Sequence, residues 1–490
     1  MNKDFNLRLV LKILGSLLWL ESIFIFLTAL VSWIYSEPDW IYFVGTGIAA
    51  VGLGTAGISI GRNAPKILSR REGTLIVVFT WVVFSLVGLM PFWLSGSIPS
   101  FTDAFFETMS GFTTTGGTVL DNIEDLSYTM LFWRSLTHWI GGLGIVVISL
   151  ALLPMFSFSG IQLFGAEIGG PTKDKIHPKI TETAKRLGAI YVILTLAAAL
   201  LLRFCGDMGW YDAVCHALGT VSSGGCSTKA VGIAYWTSPV VHYIIIVFMM
   251  LSGISFSLYY FALKGRWSKV KNNDELRYFF AVFAIAVFVV LLFVVDFGQI
   301  SNFSVLERSV REVLFQVAAM LTTTGFFLTD FTQWNQATWI ILLILMISGA
   351  SAGSTTGGIK MVRLVIVCKY CYYEFKHMIH PNAVIPITYS RQAIKSDVVT
   401  RVLAFVLLYL MVVAFGAMVL SLSGIGFSES IWTMVSCLGG VGSSIGTVGP
   451  DGNFSALSDF LKWFLAFVML LGRLELFTVL LIFTPVFWKK

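Results

Sequence analysis

Charged residues are scarce in this sequence. Only 12% of its 490 residues are Asp, Glu, Lys or Arg, whereas 56% are hydrophobic. A soluble globular protein of this length does not need so much apolar surface, so the composition excludes that class. It indicates a polytopic helical membrane protein instead.

Cysteines and catalytic motifs are also few. The six cysteines do not form the framework of an extracellular disulfide-rich protein. Cys368 and Cys371, followed by His377 and His380, match no common zinc-finger spacing, and lipid- or protein-facing residues on a helix are the simpler interpretation. The chain has no HExxH motif and no paired intramembrane aspartates, which gives an enzyme no support. The net charge of +6 comes without a basic stripe interleaved with aromatics, so no nucleic-acid partner is expected.

Long apolar runs supply ten predicted membrane-spanning segments. They lie near residues 7–35, 40–61, 73–95, 129–157, 187–204, 236–263, 277–296, 336–370, 398–424 and 457–488. The first run carries no small-residue cleavage pattern, so we expect a retained helix and not a removed signal. Most of the 33 lysines and arginines lie in the two termini and in segments 62–71, 173–186, 264–277 and 360–401. The positive-inside rule therefore predicts that both termini are cytoplasmic.

Four acidic residues are each followed thirteen positions later by a glycine in a polar stretch rich in Gly, Thr and Ser. The pairs are Asp103/Gly116, Asp212/Gly225, Glu312/Gly325 and Glu429/Gly442. Each interval has room for about three helical turns, and apolar runs flank every unit. One such stretch would be an ordinary turn. Four in matched register are typical of a repeated unit of helix, half-helix, loop and helix.

The physics of this unit restricts what it can be. A helix of about twelve residues reaches only about 18 Å and must stop midway through a hydrocarbon core of about 30 Å. Irregular backbone at that depth is tolerated only where protein buries it or water lines it. The carbonyls of a glycine-rich loop then become ligands for a dehydrated cation. We expect the acid to cap the half-helix and to make the pore mouth negative.

The predicted fold is an all-α polytopic membrane protein. Four repeats of helix, pore half-helix and helix surround a central pore, and two extra transmembrane helices precede them. The predicted parts are an N-terminal two-helix extension (1–72), pore repeat 1 (73–180), pore repeat 2 (181–276), pore repeat 3 (277–396) and pore repeat 4 (397–490). The second helix of repeat 3 is expected to be broken.

Several long runs resemble the TrkH branch of the Trk/Ktr potassium transporters. They are GGLGIVVISLALLPMFSFSGIQLFGAE (141–167), KDKIHPKITETAK (173–185), WYDAVCHALGTVSSGGCST (210–228), GSTTGGIK (353–360) and GRLELFTVLLIFTPVFW (472–488). The resemblance covers nearly the whole chain. It implies a homodimer in the bacterial inner membrane, with a potassium pore in each subunit and a cytoplasmic nucleotide-binding regulatory subunit of the TrkA type. Membrane lipids are the other expected partners, K⁺ is the transported ion, and no organic cofactor is expected.

The resemblance also implies a selectivity filter with four walls. The first two walls are Thr114, Thr115, Gly116 and Gly117, and Ser223, Gly224, Gly225 and Cys226. The other two are Thr323, Thr324, Gly325 and Phe326, and Gly440, Val441, Gly442 and Ser443. The fourth wall departs from the Leu-Gly-Pro-Gly of the family. With one shared glycine per wall, we expect weaker discrimination against sodium than in a strict potassium channel.

Two features are expected to form a gate. The apolar helix that starts near Gln336 is interrupted by GASAGSTTGG (349–358), and such a break in lipid needs a cavity or pore to satisfy its backbone. The expected gate residues of this interruption are Gly349, Gly353, Ser354, Thr355, Thr356, Gly357 and Gly358. Arg473 lies about eleven residues inside a spanning segment that starts near Lys462, where an arginine needs water or a partner. The resemblance implies that Arg473 projects toward the interruption, narrows the pore and belongs to the gate. The alternatives are a close-packing face of small residues for the interruption and a structural ion pair for Arg473.

The predicted function is potassium uptake through the four-loop filter, as the membrane subunit of a Trk system. A potassium/sodium or proton-coupled symporter is the alternative within transport, although the sequence offers no chain of intramembrane carboxylates for a proton path. A membrane-embedded enzyme or receptor would require a catalytic constellation or a ligand domain.

Overall fold

The computed structural model describes residues 6–64, 68–152, 180–295, 303–382, 386–390, 392–449 and 452–488. These ranges are mostly helical, which confirms the all-α class. A short antiparallel hairpin is the exception, formed by β1 (Thr388–Tyr389) and β2 (Gln392–Ala393).

The described helices follow the predicted order. The N-terminal pair and the first repeat comprise α1 (Leu7–Ile34), α2 (Trp40–Ile60), α3 (Arg70–Gly88), α4 (Met90–Leu94), α5 (Phe101–Phe112) and α6 (Tyr128–Leu152). The second repeat comprises α7 (Ile180–Phe204), α8 (Trp210–Val221), α9 (Pro239–Ser252), α10 (Phe256–Leu263) and α11 (Trp267–Lys271). The third comprises α12 (Asp274–Val294), α13 (Phe303–Leu321), α14 (Gln336–Ser348) and α15 (Met361–Ile379). The fourth comprises α16 (Ser396–Leu422), α17 (Phe427–Gly439), α18 (Asp459–Arg473), α19 (Leu476–Leu480) and α20 (Pro485–Trp488).

Six described helices, counting Arg71–Leu94 as one, are long and apolar enough to cross a membrane, and two bent pairs raise the count to 8. Ten spanning segments are predicted, and the other two correspond to α6 and to the separated pair α14 and α15. Large apolar side chains on the outer faces are exposed, such as Ile285 and Phe288 of α12 and Leu407 of α16. Lipid is the solvent that such faces require. The residue boundaries of the four repeats remain predictions.

The N-terminal pair packs closely on itself and on repeat 1. Added Cβ atoms on Gly15 and Gly57 would lie within 3 Å of backbone carbonyls of the facing helix, so the two backbones approach each other as only glycine allows. The loop after α1 then caps α6, because the Glu37 carboxylate accepts the amides of Tyr128 and Thr129 at 2.8 and 2.9 Å.

The four half-helices are α5, α8, α13 and α17. Three have 12, 12 and 13 residues, but α13 has 19, so the expectation of four equal lengths is wrong for repeat 3. The expectation that the acid caps each half-helix is also wrong. The caps of the other three are Ser100, Gly209 and Gly426, and the acid lies three residues further on. A first-turn carboxylate still interacts favourably with the helix dipole.

From this position the acids bind other segments. Asp212 accepts a hydrogen bond from the Thr228 hydroxyl at 2.6 Å, and Glu429 accepts one from the Thr447 amide at 2.8 Å. Each bond ties the start of a half-helix to the chain that returns from its own loop. Glu312 lies in the middle of α13 and pairs instead with the exposed Arg308.

The second helices of repeats 2, 3 and 4 are all broken. Only the break in repeat 3 is predicted from the sequence, so the continuous spans expected at 236–263 and 457–488 are wrong. Helices α9 and α10 meet at 90°, and α18 bends by 116° into the segment that follows Glu475. In repeat 3 the helix stops at Ser348 and resumes at Met361, and residues 349–360 are called the interrupted segment below.

Candidate functional site

Each half-helix is followed by a loop with the same backbone geometry. Two alternate residues in each loop have positive φ, between 50° and 82°. The pairs are Thr114 and Gly116, Ser223 and Gly225, Thr323 and Gly325, and Gly440 and Gly442. The second member is always one of the four glycines found in the sequence pattern, which are called the ring glycines below. Side chains other than glycine cost about 1–2 kcal/mol in this conformation, so three of the loops hold a strained residue at the first position.

A main-chain hydrogen bond also recurs in every loop. The residue before each ring glycine donates its N–H to the carbonyl five positions earlier, at 2.8 to 2.9 Å. The donors are Thr115, Gly224, Thr324 and Val441. The bond satisfies a carbonyl at the end of the half-helix, where no intrahelical partner remains. The four loops are therefore structurally equivalent despite their different sequences.

The ring glycines bring the four loops together in a closed ring. A Cβ atom added to any of them would collide with a carbonyl oxygen of the next loop. The distances are 2.3 Å from Gly116 to Gly224, 1.9 Å from Gly225 to Thr324, 1.7 Å from Gly325 to Val441 and 2.3 Å from Gly442 to Thr115. Loop 1 thus contacts loop 2, loop 2 contacts loop 3, loop 3 contacts loop 4 and loop 4 returns to loop 1. Only glycine fits at these four positions.

The ring borders an open cavity of about 230 Å³, which is called the vestibule below. All four ring glycines line it, together with Thr118, Asp121, Lys229 and Phe454. The residues that directly follow the four ring glycines have different surroundings. Phe326 and Ser443 line the vestibule, Gly117 faces the ring of Phe454, and Cys226 is buried away from it.

A buried ion pair supports the first two loops. Arg134 of α6 pairs with Glu107 of α5 at 2.6 Å, and both side chains are almost fully buried. The Arg134 guanidinium also donates to the Ser227 carbonyl at 3.1 Å, and Glu107 accepts the Val119 amide at 3.0 Å. Because the charges are compensated and hydrogen-bonded, the pair joins loops 1 and 2 without leaving a buried charge unsatisfied.

A second polar contact joins the first and last repeats. Lys462 of α18 pairs with Asp103 of α5 at 2.5 Å. In the loops nearby, Asp121 accepts hydrogen bonds from Asn453 at 2.8 Å and from Ser455 at 2.9 Å. The bond from Asn453, with help from Ser455, holds the pKa of Asp121 below its ordinary value. These contacts close the circle of repeats at the rim of the vestibule.

The interrupted segment lies against the other end of the loops. The Thr355 hydroxyl is 2.8 Å from the Ser223 hydroxyl, and the Gly357 amide donates to the Thr323 hydroxyl at 2.7 Å. A Cβ atom on Gly357 would lie 1.8 Å from the Gly439 carbonyl of α17. The segment therefore contacts loops 2 and 3 at the residue two positions before the ring glycine. It also contacts the end of the half-helix that precedes loop 4.

The predicted gate residues are divided between this segment and α18. Gly349, Gly353, Ser354, Thr355, Thr356, Gly357 and Gly358 all lie in the interrupted segment. Gly349, Gly353 and Gly358 have positive φ, which explains why the break is rich in glycine. The Gly353 carbonyl accepts the Phe256 amide of α10 at 3.1 Å, so the breaks of repeats 2 and 3 contact each other.

Arg473 is the last residue of α18, at the bend, and does not lie inside a continuous spanning helix. Its guanidinium donates to the Thr355 carbonyl at 2.7 Å and to the Gly141 carbonyl of α6 at 3.0 Å. No carboxylate pairs with it among the described residues, so the structural ion pair has no support there. Lys360 binds the next carbonyl, that of Thr356. Two cationic side chains thus hold consecutive carbonyls of the interrupted segment.

Glu275 makes a contact with the interrupted segment that the sequence pattern does not predict. Its buried carboxylate accepts the amides of Ala352 and Val362 at 2.6 and 3.2 Å, one within the interrupted segment and one just beyond it. The preceding residue, Asp274, pairs with Lys369 of α15 at 2.7 Å. In the sequence, two acids after a basic loop predict only the start of a helix. Their partners become visible only when α12 and α15 are adjacent.

Two other sequence patterns are a Cys/His run and the G-x-S-x-G spacing. Cys368 and Cys371 are exposed on α15, and no group of three or more His, Cys, Asp or Glu in the described ranges could hold a metal ion. The G-x-S-x-G spacing of a catalytic elbow occurs at 57–61, 349–353 and 442–446. The first match lies at the end of helix α2, and none of the three lies between a described strand and a helix. A nucleophile elbow requires a sharp turn between a strand and a helix.

The chain is similar to known transport proteins over nearly its whole length. The model of the TrkH family, described as cation transport protein, matches residues 46–490. The chain is 36% identical over 488 residues to the Trk system potassium uptake protein TrkH of Escherichia coli, with 99% of this chain and 100% of the relative covered. It is 32% identical over 488 residues to TrkG of Escherichia coli, with 99% of each chain covered.

A solved structure is similar over the same length. The crystal structure of the potassium transporter TrkH from Vibrio parahaemolyticus superimposes with a TM-score of 0.89 at 32% identity, and 99% of this chain and 100% of that chain are covered. The likeness therefore includes the N-terminal pair and all four repeats.

Proposed function

The chain belongs to the TrkH family of cation transport proteins, and we propose that it takes up potassium along the axis of its four loops. The relatives are named as potassium uptake proteins and potassium transporters, so the chain is a transport protein and not an enzyme. The proposal assigns the transported ion as K⁺ and makes this chain the membrane subunit of a Trk system.

One observation carries the proposal. Four loops from four repeats close a ring, and no side chain fits at the four glycines where neighbouring loops meet. Carbonyl oxygens next to an axis are the ligands that replace the hydration shell of a monovalent cation. We infer that the filter is formed by the backbone of the four walls, with each ring glycine at the narrowest contact. The residues are Thr114 to Gly117, Ser223 to Cys226, Thr323 to Phe326 and Gly440 to Ser443.

We further propose that the interrupted segment and Arg473 form the gate. The segment contacts loops 2 and 3 and the half-helix end before loop 4, and Arg473 connects it to α6 of repeat 1. A barrier that contacts all four repeats can obstruct the path from all sides, because its position is fixed by every repeat and not by one wall alone. The unwound backbone gives it room to move, because few helical hydrogen bonds have to break.

Rubidium uptake by the purified chain tests conduction. Vesicles that contain the protein and a potassium gradient should accumulate radioactive rubidium, and unlabelled potassium should compete with it more strongly than sodium. Vesicles without protein provide the background. Uptake that requires a proton gradient, and that stops when the gradient is collapsed at constant membrane potential, would favour the symporter. An absence of uptake by folded protein would contradict the proposal.

The assembly is proposed on the family alone. We infer a homodimer in the bacterial inner membrane with both termini in the cytoplasm, and a TrkA-type nucleotide-binding subunit on the basic cytoplasmic segments. These segments carry most of the positive charge of the chain. Anionic lipid also attracts such charge, so charge alone does not identify the partner.

Purification from the native membrane tests the partner. A soluble nucleotide-binding protein should co-purify with the chain at low ionic strength, and nucleotide should change rubidium flux only when that protein is present. Neutral substitutions of Lys264, Arg266 and Lys269, which lie in one basic segment, should weaken the association. Recovery of the chain alone, with the same flux in the presence and absence of nucleotide, would contradict the association.

A further inference from the structure

The second loop differs from the others at the residue before the ring glycine. Loops 1, 3 and 4 have Thr115, Thr324 and Val441 there, and loop 2 has Gly224. Gly224 is not among the residues with positive φ, so its backbone conformation does not require glycine. The reason for the glycine must lie in what surrounds it.

His138 of α6 occupies the space that a side chain at position 224 would need. A Cβ atom on Gly224 would lie 2.2 Å from the Nδ1 atom of His138 and 2.8 Å from its Cγ atom. The imidazole is 2% exposed, and its Nδ1 atom has no hydrogen-bond partner among the described residues. The ring therefore contributes by packing against the loop and not by a hydrogen bond from that atom.

Loops 1 and 3 show what this packing replaces. The Thr115 hydroxyl is 2.9 Å from that of Thr113, and the Thr324 hydroxyl is 2.8 Å from that of Thr322. These bonds brace the wall of loops 1 and 3 from within. A glycine has no hydroxyl, so loop 2 cannot form the equivalent bond and depends on a side chain from α6.

The carbonyl of Gly224 is part of the ring. The Gly224 oxygen is the atom that faces Gly116, at 2.3 Å from the position of its missing Cβ. A shift of the loop at Gly224 would therefore displace this oxygen relative to loop 1 and distort the ring on one side. Selectivity by carbonyl ligands depends on their number and position, and one displaced wall weakens it.

We propose that His138 is a positioning residue for ion selectivity, which holds the Gly224 wall of the ring in place. This inference rests on the proposed function, because it presumes that the ring selects among monovalent cations. It assigns to a buried histidine of α6 the bracing role that threonine hydroxyls have in loops 1 and 3.

The test compares selectivity with the amount of uptake. His138→Ala leaves space behind Gly224, and we expect the preference for potassium over sodium, measured by competition against rubidium uptake, to fall about tenfold while uptake itself persists. His138→Phe fills the same space without ring nitrogens and should retain most of the preference. His242→Ala provides a control, since His242 is a buried histidine on the corresponding helix α9 whose ring nitrogens face the Trp236 carbonyl and Arg311.

A double variant distinguishes bracing from general damage. Gly224→Thr alone should collide with His138 and reduce uptake. Combined with His138→Ala, the same threonine has room and should form the bond that loops 1 and 3 have, which should restore the preference relative to either single variant. Such a rescue is a coupling between the two sites that independent destabilisation would not produce.

Amide hydrogen exchange of residues 219–228 adds a readout that does not depend on transport. Exchange should rise in His138→Ala and return toward the wild-type rate in the double variant. Unchanged exchange, or an unchanged potassium preference in folded His138→Ala, would overturn the inference. Absence of rubidium uptake by the wild type would instead contradict the proposed function, and the exchange result would still decide whether His138 braces the loop.

Discussion

Replacing Gly325 by serine should nearly eliminate the preference for potassium, whereas the same replacement at Gly440 should change it little. Both glycines have positive φ, 75° and 69°, so both serines carry a similar backbone strain. They differ in what the new Cβ atom meets. At Gly325 it would lie 1.7 Å from the Val441 carbonyl, and at Gly440 nothing lies within 4 Å.

The expected size of the effect follows from this collision. The contact must lengthen from 1.7 Å to at least 3.0 Å before the Cβ atom fits, which displaces the Val441 oxygen from the ring. We expect the potassium-to-sodium preference to fall at least about tenfold in Gly325→Ser, which corresponds to about 1.4 kcal/mol. Gly440→Ser is a strict control, because the equivalent position in loop 2 already holds a serine, Ser223. Competition against rubidium uptake in vesicles measures both variants.

Equal preferences in the two variants would show that the collision with the next loop is irrelevant to selection. Loss of folding in Gly325→Ser would appear in gel filtration, and Gly116→Ala would then provide a milder collision at 2.3 Å with the smallest possible side chain.

Arg473→Ala should raise rubidium flux about tenfold or more. At an effective dielectric constant of about 20, a unit charge about 5 Å from a passing cation repels it by about 3 kcal/mol, and removal of the charge lowers that barrier. The substitution also leaves the carbonyls of Thr355 and Gly141 without their donor, which frees the interrupted segment. Arg473→Gln separates the two effects, because glutamine is neutral but can still donate hydrogen bonds.

Shortening the interrupted segment should raise flux by a different route. Deletion of residues 353–356 removes a steric obstacle but no charge, so only the Arg473 variants should alter how flux depends on ion valence. Because the two elements obstruct one passage, the deletion combined with Arg473→Ala should increase flux by less than the product of the separate gains.

The control for these variants is Arg308→Ala, which removes an arginine from an exposed surface ion pair. Its flux should equal that of the wild type. Reduced or unchanged flux in well-folded Arg473→Ala and in the deletion would contradict the gate.

Much of the architecture could be predicted because it depends on length and periodicity. The apolar runs must cross a membrane of fixed thickness, and an acid repeated thirteen residues before a glycine marks four units of one kind. The break in repeat 3 was predictable for the same reason, since ten small or polar residues interrupt an apolar run. The breaks in repeats 2 and 4 were missed. They occupy only a few residues at Gly253 and Glu475, which a hydropathy pattern does not resolve.

The sequence by itself determined the class of protein, the four repeats, the ring glycines and the residues of the interrupted segment. These follow from composition and from local backbone requirements that glycine alone meets. Only the tertiary structure decided which atoms meet. The cyclic contact of each ring glycine with the next loop, the hold of Arg473 on Thr355 and the packing of His138 against Gly224 all join distant parts of the chain. Such contacts depend on how helices pack, and a residue pattern along one chain does not specify the distance between side chains on separate helices.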